Sequence, residues 1–527
     1  MDEQIIFTTQ GTGTVGNIHS FEQANLRTCT TNHRNSAVQI NDKYLFVAQA
    51  KKALINVYNL SGPNKRESVE QRLPLPEAVN CLEIVENEIP IYSNRNTSNV
   101  YNYPEFNLPY LLLASTESGK LYAWELNSGN LLNVKSMAHY QAITKIKSIM
   151  NGRYIITSGN DARIIIWQTV DLVSQEDPKP IAIIHDHTLP ITDFEVSSTH
   201  GESLFSSGTK LYTASDDSTV KCYELNLYGS NNKKVGNKPR LLASFSLPFA
   251  ANYITLDPAE RSIYLGTKFG CYSLSLYYNL ESKKIVNLTQ LSDSNKGKIY
   301  SLIFDEEKAS SKNELFIRGQ LVIERLMETE VSCLSISMDG TILLVGDTMG
   351  NVSVVEVFSK QILKTLHPLT TSQVTSGAVT NILAKAAYQD ENEALIGFSK
   401  DVQKSNDQKL PSLQRAIFDA KKPGQMHDVW HQIGPREGGS NSGMVTPLNN
   451  LDQYLDNVMK QESHFVMIGQ KIVSEERIVN KETQVDASKD EEIKELKQNI
   501  QVLTKAYKEL RDIHEKYYEE HEKVKKK

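Results

Sequence analysis

The chain has 527 residues, 39% hydrophobic and 23% charged, which is enough apolar content to bury a large core. Its 57 basic and 63 acidic residues leave a net charge of −6, so the global balance does not draw it toward nucleic acid. The opening MDEQIIFTT is acidic, and no run reaches the roughly 18 apolar residues of a membrane helix. We expect neither a secretory signal nor a membrane span.

In chain order, residues 5–9 (IIFTT) and 14–19 (TVGNIH) read as strands that lack an innermost neighbour. Residues 11–16 fit the dinucleotide pattern GxGxxG, but the third glycine continues a strand instead of opening a helix, so no nucleotide site is expected. Residues 40–48 (INDKYLFVA) lead into 54–58 (LINVY). The strongest signal follows: YLLLAST and GKLYAW, ending at Trp124, are echoed by YIITSG, Asn160, Asp161 and RIIIW, ending at Trp167. HTLPITDF, LYTASDD and TVKCY then place Tyr223 after Asp217 as Trp167 follows Asp161. Polar residues 200–208 read as an inserted loop. Weaker copies occupy residues 257–276 and 331–357. Residues 377–384 (GAVTNILA) are placed to supply the strand missing at the start and so close a ring.

Runs of Val, Ile and Tyr punctuated by Asp-Gly and Asn-Gly turns are strand chemistry. A period of about 40–45 residues with four strands per unit is that of a WD-repeat β-propeller blade. The expected fold is therefore all-β: a seven-bladed propeller over residues 1–385, a partly disordered strap over 386–480 and a C-terminal coiled-coil helix over 481–527. Eight blades is the runner-up, because residues 298–304 and 314–318 could form a further degenerate unit.

The resemblance to WD repeats covers residues 4–385. In that family a loop His, a strand Ser/Thr, a turn Asp and a Trp form a buried hydrogen-bonded chain. Matching positions are His139, Thr157, Asp161 and Trp167, then His187, Thr213, Asp217 and Tyr223, the tyrosine lacking an indole donor. With Trp124 these read as structural residues. No nucleophile, metal or paired-carboxylate cluster stands out. His427 and His431 lack a nearby Cys or an HExxH glutamate, and the five scattered cysteines read as reduced structural thiols of cytosol or nucleus. We expect no enzyme activity, cofactor or metal.

Beyond the ring the sequence turns polar, with apolar islands that suit docking, either to the propeller's own side or to a partner. Leu413, Ile417, Phe418, Trp430 and Ile433 are the candidate partner-docking residues, and 448–459 suits an amphipathic helix. Near the end, Ile493, Leu496, Ile500, Leu503, Tyr507, Leu510, His514, Tyr517, His521 and Val524 alternate three and four apart over about four to five heptads. That stripe is read as the seam of a homodimer.

The strap segments LPSLQRAIFD and HDVWHQIG, the terminal KDEEIKELKQNI helix, and SFEQANLR and STESGKLYAWELNSG resemble one family over nearly the whole chain. This is the fungal WD-repeat family that processes the second internal transcribed spacer of pre-ribosomal RNA. The resemblance implies a nuclear (nucleoplasmic and nucleolar), non-catalytic scaffold in the Rix-one complex. Its implied partners are the helical-repeat Rix-one subunit, a smaller third subunit, the large-subunit precursor and its dynein-like AAA ATPase. It implies no membrane and leaves direct RNA contact open. The rival readings are a propeller enzyme, which no residue cluster supports, and a WD-repeat adaptor in another assembly such as membrane trafficking or ubiquitin transfer.

Overall fold

The computed structural model describes residues 2–18, 23–40, 44–60, 68–86, 110–150, 152–197, 209–225, 227, 239–280, 285–289, 297–304, 312–369, 376–387 and 410–417. The chain divides into two compact units, Met1–Ser442 and Gly443–Lys527, and all described residues belong to the first.

The chain opens with three antiparallel strands, β1 (Asp2–Thr9), β2 (Gly13–Asn17) and β3 (Gln23–Leu26). Three four-stranded antiparallel sheets follow. They are β4 (Ala37–Ile40), β5 (Tyr44–Ala48), β6 (Leu54–Asn59) and β7 (Gln71–Pro74); β8 (Cys81–Glu86), β9 (Tyr110–Ser115), β10 (Leu121–Glu125) and β11 (Leu131–Lys135); and β12 (Ile143–Ile149), β13 (Tyr154–Gly159), β14 (Ile164–Gln168) and, after helix α1 (Thr169–Ser174), β15 (Ala182–Ile184). The next meander is β16 (Ile191–Val196), β17 (Lys210–Ser215), β18 (Thr219–Glu224) and β19 (Arg240–Ser246). After it come β20 (Tyr253–Leu256), β21 (Ser262–Thr267), β22 (Gly270–Ser275) and a hairpin of β23 (Tyr277–Asn279) and β24 (Ile285–Asn287). Then follow β25 (Lys298–Phe304), helix α2 (Lys312–Ile317) and β26 (Gln320–Met327). The last sheet is β27 (Val331–Ile336), β28 (Ile342–Asp347), β29 (Val352–Glu356) and β30 (Ile362–Leu366), and β31 (Val379–Ala387) ends the ring.

Five sheets are separate four-stranded blades, and nine strands form one larger sheet, β16-β17-β18-β19-β25-β26-β22-β21-β20. Strand β25 is its bridge, parallel to β19 on one side and to β26 on the other. The eight-blade alternative is corrected here. Residues 298–304 form this bridging strand and 312–317 a short helix, so together they make no antiparallel unit. The innermost strands β31, β4, β8, β12, β16, β20 and β27 touch in that cyclic order, and β27 meets β31 to close the circle.

The middle strands are buried on both faces, as continuous apolar sequence requires: every residue of LYAWE and YIITSG is buried. Each interface between neighbouring sheets holds its own apolar cluster. Trp124 and Phe46 pack between the second and third sheets, and Trp167 and Leu113 between the third and fourth. Closure works as the sequence suggested, with β31 pairing along β1 through Asn381–Thr8 and Leu383–Ile6. Hydroxyls lock it: Thr8 and Thr380 lie 2.9 Å apart, and the Asn381 amide donates to Thr8 (2.8 Å) and Ser36 (3.0 Å). The Gly11–Gly16 segment turns into β2, so its third glycine lies in a strand.

Candidate functional site

In the fourth sheet the expected buried chain is continuous. His139 Nδ1 lies 3.0 Å from Asp161 Oδ1 and its Nε2 2.8 Å from the Thr157 hydroxyl, which accepts from the Trp167 indole at 3.1 Å. This network assigns the ring proton to Nδ1 and makes Nε2 the acceptor of the Thr157 hydroxyl hydrogen. Burial alone would raise the Asp161 carboxyl. The His139 bond and the backbone N–H groups of Tyr140 and Arg163 instead hold it below the usual range.

The fifth meander keeps three of the four members. His187 bonds Asp217 (3.0 Å) and Thr213 (2.8 Å), whereas Tyr223 sends its hydroxyl to Asp186 Oδ2, 3.1 Å away. A phenol is longer than an indole and carries its donor at the tip, so it overshoots Thr213. Burial lowers the His187 pKa despite Asp217. Asp217, which burial would raise, is held at about 2 by the Thr219 hydroxyl and His187. These groups tie loops to strands.

Trp124 behaves differently. Its ladder neighbour is Leu112, as Ile155 is that of Trp167, so Ala114 occupies the place of Thr157 and offers no hydroxyl. The indole instead donates to the carbonyl of Gln414, in the strap. Gln71 grips Leu410 by both main-chain groups, accepting from its N–H (2.9 Å) and donating to its carbonyl (2.7 Å). Gln414 N–H donates to Gly129 O at 2.8 Å, and Ile417 bridges Leu131 in parallel. Gly129 has φ +75, and a Cβ there would stand 2.4 Å from Ser412 O, so only glycine admits the strap.

This corrects the reading of Leu413 as a partner-docking residue. Its side chain is 4% exposed, within the cluster of Trp124 and Leu131, so the propeller itself takes it. Ile417 stays half exposed at the sheet edge. Phe418, Trp430 and Ile433, His427 and His431, and the seam from Ile493 to Tyr517 lie outside the described residues. Gln71, Ala114 and Gly129 were not singled out in the sequence; a Trp with Ala114 where the fourth sheet has Thr157 was the available signal.

The ring encloses a cavity of about 420 Å³. Arg34 reaches over the Tyr253 ring (3.8 Å to its centre) and donates to Asn252 O at 2.8 Å. Lys145 joins β12 to β16 through Asp193 (2.9 Å) and Glu195 (3.1 Å). Glu83 on β8 accepts from Ser148 N–H (2.9 Å) and hydroxyl (3.1 Å) on β12, and burial pushes its carboxyl up to about 7. Sequence reasoning missed these latches. Among the described residues no cluster of His, Cys, Asp and Glu could hold a metal, and burial pushes Cys29, Cys81, Cys222 and Cys271 up to about 12. No helix among the described residues is long and apolar enough to cross a membrane.

No family model matches the chain. Among curated proteins, the pre-rRNA-processing protein IPI3 of Saccharomyces cerevisiae (strain YJM789) is 54% identical, over 99% of both chains. That of Candida glabrata is 45% identical over 99% of both. The Schizosaccharomyces pombe pre-rRNA-processing protein crb3/ipi3 is 28% identical over 67% of this chain and 70% of its own.

Proposed function

Because the chain belongs to the IPI3 family of pre-rRNA-processing proteins, we propose that it acts in ribosomal RNA processing as a non-catalytic scaffold. The single observation that carries this reading is 54% identity to a relative of that name along 99% of both chains. In finer terms, the protein serves the Rix-one complex in the nucleoplasm and nucleolus. There it supports removal of the second internal transcribed spacer and maturation of the large subunit, and helps recruit a dynein-like AAA ATPase to the precursor. The resemblance in the strap and terminal helix supports that assignment. Its companions in this reading are the helical-repeat Rix-one subunit, a smaller third subunit and a second copy of the chain.

The geometry suits such work. We count the nine-stranded sheet as two blades joined by β25, which makes the ring seven-bladed and agrees with the cyclic contact of its inner strands. The buried Lys145 and Glu83 are tied into latches between inner strands, and the rigid faces are what the molecule presents. A scaffold raises the effective concentration of its partners without making bonds. RNA blotting after depletion tests the reading. Precursors retaining the second spacer should accumulate while small-subunit RNA matures normally; normal spacer removal with the protein verified absent refutes it.

A further inference from the structure

We propose that the outer corner of the β27–β30 blade, at Phe358, Ile362 and Leu363, takes an extended segment of a partner protein, as the corresponding corner of the β8–β11 blade takes the chain's own strap.

The two corners are built alike. Gly129 N–H bonds Glu125 O (2.8 Å) as Lys360 N–H bonds Glu356 O (2.9 Å), and Glu125 N–H bonds Asn130 O (3.0 Å) as Glu356 N–H bonds Gln361 O (2.9 Å). The Ser128 and Ser359 hydroxyls donate to the carboxylates of Glu125 and Glu356. Gly129 and Lys360 both have positive φ (75 and 59). The ladder slips at the same place, where Trp124 pairs Leu131 and Val355 pairs Ile362, leaving Leu132 and Leu363 as the extra residues.

They differ in cover. Leu131 lies under the strap at 1% exposure, whereas Ile362 is 52%, Leu363 55% and Phe358 66% exposed. Strand β30 ends its sheet, so its outer main-chain edge has no strand neighbour among the described residues. Three large apolar side chains on an open edge are the features of a strand-addition site.

The occupant is not residues 410–417, which are seated on the β8–β11 blade. A Cβ at Gly129 would stand 2.4 Å from Ser412 O, and Lys360 carries that Cβ. A segment seated here must run farther out, beside the Lys360 ammonium, which now meets Glu324 Oε2 at 2.7 Å on the surface. The chemistry that fits is an extended apolar stretch with a carboxylate facing Lys360. The proposal rests on the scaffold reading, but its test reads contact and not RNA.

The full chain is prepared with p-benzoylphenylalanine at position 363, or at Ile183 on the β15 edge as a control. It is purified with its companions, illuminated, and its cross-links are mapped to sequence. Hydrogen exchange at residues 362–366 is compared with that of the stripped chain. We expect cross-links from 363, absent from 183, to one apolar stretch of a partner bearing an acidic residue, and exchange slowed about tenfold or more on assembly. Lys360→Glu should reduce the cross-link yield severalfold, with melting unchanged. Unchanged exchange, cross-links to a second copy or to residues 410–417, or a yield indifferent to Lys360→Glu would overturn the proposal.

Discussion

The indole nitrogen of Trp124 donates to the main-chain carbonyl of Gln414, 2.9 Å away and 290 residues further along the chain. An indole N–H buried without a partner would cost about 1–3 kcal/mol, and Ala114 cannot supply one. The strap is therefore part of the blade's own polar satisfaction as well as of its apolar packing.

Two substitutions test how the strap is seated. Gly129→Ala forces a Cβ against Ser412 at a left-handed backbone position, and Leu413→Ala empties a buried apolar site. Truncation of a buried Leu costs about 2–5 kcal/mol. Tryptic cleavage after the exposed Arg415 should accelerate about tenfold or more in both variants, with melting lowered by several degrees and the ring still cooperative. Cleavage at the wild-type rate would show that the strap is not held as described.

Acid should loosen the fifth meander. Asp217 is held at about 2, so the stability it contributes is present above the ordinary carboxylate range and is lost as pH falls from about 4 toward 2. His187 adds to this in the same direction. Its lowered pKa makes the neutral ring the folded form, so protonation opposes folding once pH drops below its ordinary value of 6.5. Asp217→Asn should therefore be less stable than wild type at pH 7, and the gap should narrow toward pH 2. A gap constant with pH, measured by urea unfolding, would contradict the assignment.

Glu83 should act in the opposite sense. Burial raises its carboxyl to about 7, above the ordinary 4.5, so ionising it is disfavoured in the folded state and stability declines as pH rises between those values. Glu83→Gln removes the ionisation while keeping an acceptor for Ser148. It should match wild type near pH 4.5 and melt higher at pH 8. Equal melting at both pH values would place the carboxyl in a solvated setting.

The blades were legible because Trp167 and its partners His139, Thr157 and Asp161 stand at repeating offsets, and because middle strands such as YIITSG are apolar throughout. Direction of pairing was not legible. Residues 298–304 read as a strand, but nothing in KIYSLIF reveals that it lies parallel between β19 and β26. In residues 314–318 the apolar run is too short for period to separate helix from strand, and 314–317 lie in helix α2. The site of Leu413 was hidden for another reason. An apolar island has the same composition whether its groove is on its own chain or on another, and Ala114 and Gly129 in a distant blade decide between them.

The seam from Ile493 to Tyr517 carries the last prediction, motivated by its three- and four-residue spacing. Ile at early a positions and Leu at d favour a parallel two-stranded coil. Changing Leu496, Leu503 and Leu510 to Asp places charges where the seam would exclude water, at a cost of several kcal/mol per dimer. Light scattering of the full chain should then give a monomer mass where wild type gives a dimer. The propeller's melting should not move, because its blades bury their cores within the ring. In cells, the triple variant should retard spacer removal more than any single polar substitution on the propeller, since losing two-fold linkage lowers the effective concentration of every partner at once. A dimer persisting in the variant would show that self-association lies elsewhere, and normal processing with a monomer would show that the scaffold acts as one copy.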